Sequence, residues 1–341
     1  MSNNQKRTKA IILAIIGIIG IIVVFTIKPE RKRWINNSGI TWNTEYNIKY
    51  CHHTNLSDSI ISVLREVELS VSPFNKKSRI TAINENRSDT LDGYLSRLYD
   101  KSVEINRESG GAFDPTVSPL VNLWGFGYEK TGKANRQAVD SILMFVGIDK
   151  TRKEGIRIVK SDGRTTFNFS AIAKGMGCDE IGKMLERNGV KDYIVEIGGE
   201  ITAKGHNPKG QKWRISIDKP INANDTVIHH SAGIVEITNC GIATSGNYRN
   251  YHTDSAGNKV AHTINPRTGM PEQSDVLSAT VIAPDCMTAD AYATTFMVLG
   301  LEKSKKLLDK HPEISAMLIT SDNGNSFKIW ESGNFPKMRQ R

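Results

Sequence analysis

TTFNFSAIAKGMGCDEIGKMLERNGVKDYIVEIGGEITAKG, from Thr165 to Gly205, is the stretch that decides the fold. Its first six residues place Phe167 and Phe169 two apart, the period of a half-buried strand. The pattern then changes. Ile181, Met184 and Leu185 form an apolar stripe at helical spacing, and Asn188-Gly189 supplies the residues that stop a helix. YIVEIGGEITAKG, rich in β-branched residues, returns to a strand pattern.

The same alternation extends outward. TEYNIKY (Thr44–Tyr50) reads as a strand, and SDSIISVLREVELSVSPF (Ser57–Phe74) as an amphipathic helix with Ser57 as its N-cap. WRISIDKP, GIVEITNCGIATSG and SATVIAP read as later strands. MTADAYATTFMVLG and LEKSKKLLDKH read as helices before a last strand, SAMLITSD. The expected class is α+β with a mixed, largely antiparallel sheet and packed helices. No repeat, low-complexity tract or linker follows Arg33, so residues 34–341 are read as one unit and residues 1–33 as a separate anchor with basic flanks.

That anchor is AIILAIIGIIGIIVVFTI, Ala10 to Ile27, with no charged residue. As a helix it would reach about 27 Å, enough to cross a bilayer core. Lys28-Pro29-Glu30-Arg31 follows in place of a small-residue cleavage site, and no cysteine lies near to carry a lipid, so an uncleaved transmembrane helix is expected. Basic residues on both flanks leave its orientation open.

The net charge of +9 suggests nucleic acid until it is located. Residues 1–33 carry seven Lys or Arg against Glu30, and Lys337, Arg339 and Arg341 add three at the other end, so the body is near neutral. A nucleic-acid binder would carry its basic face on the folded domain; here the excess reads as membrane flanks and a solvated tail. Cys51, Cys178, Cys240 and Cys286 show no metal-type spacing and read as buried thiols, with a disulfide among them left open.

Some residues point to chemistry. Asp290 and Thr294, four apart on an expected helix, present a carboxylate and a hydroxyl to one side, hard oxygen donors suited to Mg²⁺; an acid near a helix start is also a common dipole partner. Gly110-Gly111 before Ala112, Phe113 and Asp114 lets backbone approach a planar ligand closely. SGNYRNYH (Ser245–His252) mixes small, hydroxyl and basic residues as a pyrophosphate site would, with Arg249 the candidate phosphate contact.

AFDPTVSPLVNLWGFG (Ala112–Gly127), AHTINPRTGMP (Ala261–Pro271) and DCMTADAYATTFMVLG (Asp285–Gly300) occur in that order, and together the chain from about Gly39 to Trp330 resembles the FAD:protein FMN transferases, the ApbE-type flavin transferases. The resemblance implies a T-fold-like core. It implies that Mg²⁺ is held by Asp290, Thr294 and, through its backbone carbonyl, Ala171. Flavin or adenine contacts would come from Trp42, Phe74, Ala112, Phe113, Asp114, Asn168, Lys174 and Ile264. His262 matches the histidine of the family's HxxDP motif and would accept the proton of the attacking hydroxyl. Two positions depart from the family pattern: Asn168 and Asn265 each stand where Asp is usual.

The implied reaction moves FMN from FAD to a Thr or Ser hydroxyl of an acceptor protein and releases AMP. The implied partner is a flavin-bearing subunit of a membrane redox complex, and the implied location is the outer side of a bacterial inner membrane. Water as the nucleophile would give a Mg²⁺-dependent FAD pyrophosphatase, and loss of chemistry a flavin-binding protein; the two Asn residues keep these alternatives open.

Overall fold

The computed structural model describes residues 32–127, 134–218, 231–246, 251–253, 259–261, 263–272, 274–322 and 326–339, with isolated positions 7, 12, 13 and 15. It opens on a hairpin of β1 (Arg33–Thr41) and β2 (Thr44–His52). Helices α1 (Ser57–Val71), α2 (Arg79–Asn84), α3 (Gly93–Glu108), α4 (Ser118–Leu123) and α5 (Arg136–Leu143) follow, then a ribbon of β3 (Thr151–Glu154) and β4 (Arg157–Lys160). Helix α6 (Ala173–Arg187) leads into the hairpin of β5 (Tyr193–Ile197) and β6 (Glu200–Lys204). A second ribbon joins β7 (Trp213–Asp218) to β8 (Ser231–Ile237) before β9 (Cys240–Gly246), and a third joins β10 (Tyr251–Thr253) to β11 (Lys259–Ala261). The chain continues through β12 (Val276–Ala283), α7 (Cys286–Leu299), α8 (Leu301–Leu308), β13 (Ser315–Asp322) and β14 (Ser326–Glu331).

Eight strands form one sheet in the order β1-β2-β5-β6-β9-β12-β13-β14. Every neighbouring pair is antiparallel, so the expected mixed α+β class with a large antiparallel sheet is what the chain forms. Side-chain alternation divides the core between the two faces. Val195, Ile197, Ala279, Val281 and Leu318 join the cluster containing α6 and α7, while Ile201, Ile242, Ile282, Met317 and Ile319 join the cluster containing Trp213 and Val235 of the β7–β8 ribbon. The turn between β5 and β6 is Gly198-Gly199 at φ 63° and 101°, a left-handed conformation that glycine adopts without strain.

Several local expectations need correction. Thr165–Ser170 joins no sheet: Phe167 and Phe169 are buried as their spacing suggests, but the Phe167 backbone pairs with the Asn84 side-chain amide in both directions, at 2.8 Å each. Ser57 is the first residue of α1 and not its cap; its N–H donates to Asn55 Oδ1 at 3.0 Å, and the helix ends at Val71. GIVEITNCGIATSG divides at Asn239, φ 53°, into β8 and β9 of different sheets. All four cysteines are free, but only Cys178 and Cys286 are buried. Arg339 is no solvated tail: its backbone exchanges two 2.9 Å hydrogen bonds with Ile234, and its guanidinium lies 3.1 Å from Glu236. Among the described residues no helix is long and apolar enough to cross a membrane; the run Ala10–Ile27 lies outside them except for Ile12, Leu13 and Ile15.

Candidate active site

Helices α6 and α7 meet closely because a glycine stands at the contact. A Cβ on Gly175 would lie 2.3 Å from the Cys286 carbonyl oxygen and 2.9 Å from Asp290 Cβ. On the sheet side, a Cβ on Gly241 of β9 would lie 2.2 Å from Cys286 N. The start of α7 therefore sinks between α6 and the sheet, and the helix is buried almost all round, as its apolar sequence demands.

Asp290 is only 3% exposed inside this packing, and its Oδ2 accepts the Gly175 N–H at 3.0 Å. The capping duty is met elsewhere: Asp285 is the N-cap of α7 and accepts the Thr288 N–H at 2.8 Å. Lys174 Nζ sits 2.6 Å from Glu200 Oε2. Burial pushes the Asp290 carboxyl above the usual range, with the Lys174 ammonium and the Gly175 N–H acting against it. Burial also pushes Glu200 up to about 7, opposed by Lys174 and reinforced by Asp290. Burial lowers Lys174, but the two carboxylates outweigh it and hold the ammonium above its ordinary value.

Two buried carboxylates thus share one ammonium, leaving negative charge that a divalent cation would neutralise. Thr294 lies one turn beyond Asp290, its Oγ1 3.2 Å from Ser245 Oγ, and Ala171 lines the same cavity just before α6. Among the described residues no group of three His, Cys, Asp or Glu side chains could hold a metal. One carboxylate with neutral hydroxyl and carbonyl oxygens fits Mg²⁺, which keeps positions for water and phosphate, and does not fit zinc.

These groups border a cavity of about 1000 Å³, at the upper end of small-molecule sites. Nine of the expected site residues line it: Ala112, Phe113, Asp114, Asn168, Ala171, Lys174, Ile264, Asp290 and Thr294. Two do not. Trp42 sits in the β1–β2 turn with its ring against α6, where a Cβ on Gly177 would lie 2.4 Å from it, and Phe74, 62% exposed, follows α1 outside the cavity wall. His262 and Arg249 lie outside the described residues.

Asp114 works mainly on its own loop. Its Oδ1 accepts from Thr116 N and Oγ1 at 2.8 and 2.6 Å, and its Oδ2 accepts from Ile148 N at 2.9 Å. Burial raises its pKa despite these bonds. Asn106 Nδ2 donates to Phe113 O at 2.7 Å, so the backbone of the 112–114 loop is held from both sides. The 263–271 loop docks alongside, with the Arg267 side chain over Gly110-Gly111 and the Gly269 carbonyl accepting from Trp124 Nε1 at 2.8 Å.

Sequence reasoning missed Glu200, Ser118, Thr244 and the wall contributed by Arg214 to Asp218 of β7, all on the cavity lining. Glu200 had a signal, a charged residue directly after Gly198-Gly199 at the head of an apolar strand. Ser118 had none; its hydroxyl is buried with no hydrogen-bond partner among the described residues. The β7 wall comes from a ribbon packed across the sheet, which no local pattern announces.

Comparison with known proteins identifies the family. The model of the ApbE family matches residues 42–318. The FAD:protein FMN transferase of Haemophilus influenzae is 33% identical, over 95% of this chain and 97% of that protein, and that of Vibrio cholerae is 35% identical, over 90% and 93%. The solved flavin transferase ApbE from Vibrio cholerae superposes with a TM-score of 0.79 at 33% identity, covering 89% of this chain and 98% of that one. The apo flavinyl transferase ApbE of Pseudomonas stutzeri gives 0.78 at 27% identity, covering 90% and 97%. With the matched region spanning most of the described fold and the whole cavity, the chain belongs to the ApbE family.

Proposed function

We propose that this chain is a Mg²⁺-dependent FAD:protein FMN transferase that moves FMN from FAD to a Thr or Ser hydroxyl of an acceptor protein and releases AMP. The observation that carries this reading is the meeting, in one cavity, of the glycine-led 112–114 loop, the Lys174 ammonium and the oxygen set of Ala171, Asp290 and Thr294. Flavin transfer is also the reaction named for its relatives.

Asp290, Thr294 and the Ala171 carbonyl would hold the cation. When bound, Mg²⁺ neutralises charge that develops on the phosphoryl oxygens during displacement. Lys174, fixed by Glu200, supplies positive charge to the phosphate end. The 112–114 backbone and Ile264 border the space for the ring system, where apolar contact orients FAD. The acceptor oxygen attacks the FMN phosphorus as the bond to the AMP oxygen breaks, and His262 takes the hydroxyl proton.

The reading includes an anchor at Ala10–Ile27 in a bacterial inner membrane, the catalytic unit on its outer side, and a flavin-bearing subunit of a membrane redox complex as acceptor. The test is mass spectrometry of such an acceptor incubated with full-length protein in detergent, FAD and Mg²⁺. A flavin adduct that requires the metal is the expected result. Free FMN without adduct would show hydrolysis, and unchanged FAD would show binding alone; either result refutes transfer. Protease accessibility in spheroplasts tests the sidedness.

A further inference from the structure

Asp179, one turn of α6 beyond Gly175, is 9% exposed and is not among the residues that line the cavity. Its Oδ1 accepts the Cys286 N–H at 3.0 Å and the Thr202 hydroxyl at 2.6 Å, and its Oδ2 accepts the Met287 N–H at 2.9 Å. Cys286 and Met287 are the first two residues of α7, whose amides have no partner within their own helix. Asp290 does the reverse, accepting the Gly175 N–H from the first turn of α6. Each helix therefore lends a carboxylate to the N-terminal amides of the other.

The spacing makes the exchange directional. Gly175 and Asp179 are i and i+4 on α6, while Cys286, Asp290 and Thr294 are i, i+4 and i+8 on α7, so the two bonds tie the facing stripes one turn apart, and Thr294 lies one turn beyond them. Thr202 adds β6, the strand that begins with Glu200, to the same clamp.

We propose that Asp179 is a positioning residue that fixes the rotation and depth of α7, and thereby aims Asp290 and Thr294 at the cation. It touches neither metal nor flavin. The inference rests on the assignment of Asp290 and Thr294 to the metal, so its test carries one measurement that needs no metal.

Asp179→Ala and Asp179→Asn are compared with Asp92→Ala, which removes the N-cap of α3 and is not among the cavity-lining residues. Mn²⁺ binding to the full-length protein with FAD is followed by electron paramagnetic resonance, and hydrogen exchange of the Gly175 amide is measured without metal. In Asp179→Ala the Mn²⁺ Kd rises by about 10–100-fold, the range for residues that orient metal ligands. Asp179→Asn, which retains one acceptor oxygen, shows a smaller rise, and Asp92→Ala stays within about twofold while also losing Tm. Exchange at Gly175 quickens by at least about tenfold more in the Asp179 variants than in Asp92→Ala, because the Asp290 bond that protects it is misplaced.

Unchanged Kd and unchanged Gly175 exchange in both Asp179 variants would overturn the proposal. Should the wild type bind no divalent cation, the metal assignment falls, and Gly175 exchange alone decides the positioning role. Should Asp179→Ala fail to fold, Asp179→Asn is read by the same two criteria.

Discussion

Gly175→Ala sets two effects of known size against each other. Alanine is favoured over glycine within a helix by about 0.8–1.0 kcal/mol, and Gly175 lies in the first turn of α6, where the gain is smaller. Against it stands the new methyl, 2.3 Å from Cys286 O, 2.6 Å from Cys286 C and 2.9 Å from Asp290 Cβ. Contact optima near about 3.5 Å require the helices to part by roughly 1 Å. The blocking atoms are backbone and cannot swing aside. Overpacking of this kind costs about 1–3 kcal/mol, and loss of the Gly175–Asp290 bond to a carboxylate adds about 1.5–3 kcal/mol. After a propensity gain of at most about 1 kcal/mol, a net loss of about 1.5–5 kcal/mol remains, or roughly 2–8 °C in Tm for a chain of this size. Gly93→Ala is the control, because a Cβ there meets nothing within 4 Å; it should be neutral or stabilising. Differential scanning fluorimetry of the two variants, with FMN transfer measured across a Mg²⁺ series, checks the reasoning. A Gly175→Ala protein with wild-type Tm and wild-type transfer would refute the close contact between α6 and α7.

Asp290→Ala should depress transfer by more than about 100-fold, beyond the range for residues that only orient a ligand, and Thr294→Ala less, since water can replace a neutral hydroxyl; excess Mg²⁺ should restore part of each, and equal, metal-independent losses would point to helix packing alone. His262→Ala should bind FAD normally yet lose roughly 10²–10⁴-fold in transfer rate, partly recovered at high pH; a parallel loss of FAD affinity would make it a binding residue. Burial pushes Asp179 from 3.8 up to about 6, so between these values the folded state holds the extra proton and stability falls as pH rises. Wild type should therefore lose up to about 3 kcal/mol relative to Asp179→Asn between about pH 4 and pH 6 and stay level above; urea midpoints that differ equally at pH 4.5 and 7.5 would contradict this. Asn265→Asp should destabilise by roughly 1–3 kcal/mol, and the double variant with Glu272→Gln should recover most of it; a double-mutant cycle with no coupling would show that the two side chains do not meet.

The central helices and sheet were legible because burial imposes a period on sequence. α6 announces itself through Ile181, Met184 and Leu185, all in the core, and β13 through its run of buried residues from Ser315 to Thr320. Thr165–Ser170 misled because side-chain alternation reports which residues are buried, not what the backbone bonds to; here the partner is the Asn84 side chain, 83 residues away. Asp290 and Thr294 were legible through helical spacing joined to a family likeness. Asp179 was not, because an acid on a helix is ordinary until tertiary structure places it against another element's amides, and Glu200, though marked by the Gly-Gly turn before it, gains its meaning only from Lys174. Trp42 was ambiguous in another way, since an aromatic ring suits stacking on a flavin and filling the notch above Gly177 equally well.

The two asparagines at family aspartate positions looked like grounds for lost chemistry, and their contacts argue otherwise. Asn168 uses its Oδ1 to accept from Ser170 N at 2.9 Å and Ser170 Oγ at 2.6 Å, a turn that needs an acceptor oxygen and no charge. Asn265 Oδ1 accepts from Arg267 N at 2.9 Å in the same way. Its Nδ2 donates to Glu272 Oε2 at 2.6 Å, a bond that an aspartate could not make without a shared proton. A carboxylate is therefore still present at this turn, carried by Glu272 across the loop, and with aspartate at 265 two acids would face each other in a half-buried place. Asparagine at 265 thus keeps the turn intact and leaves a single acid, Glu272, beside it. The contacts of both asparagines are therefore those of intact turns beside the cavity, and neither disturbs the placement of Lys174, Asp290 and Thr294 on its lining.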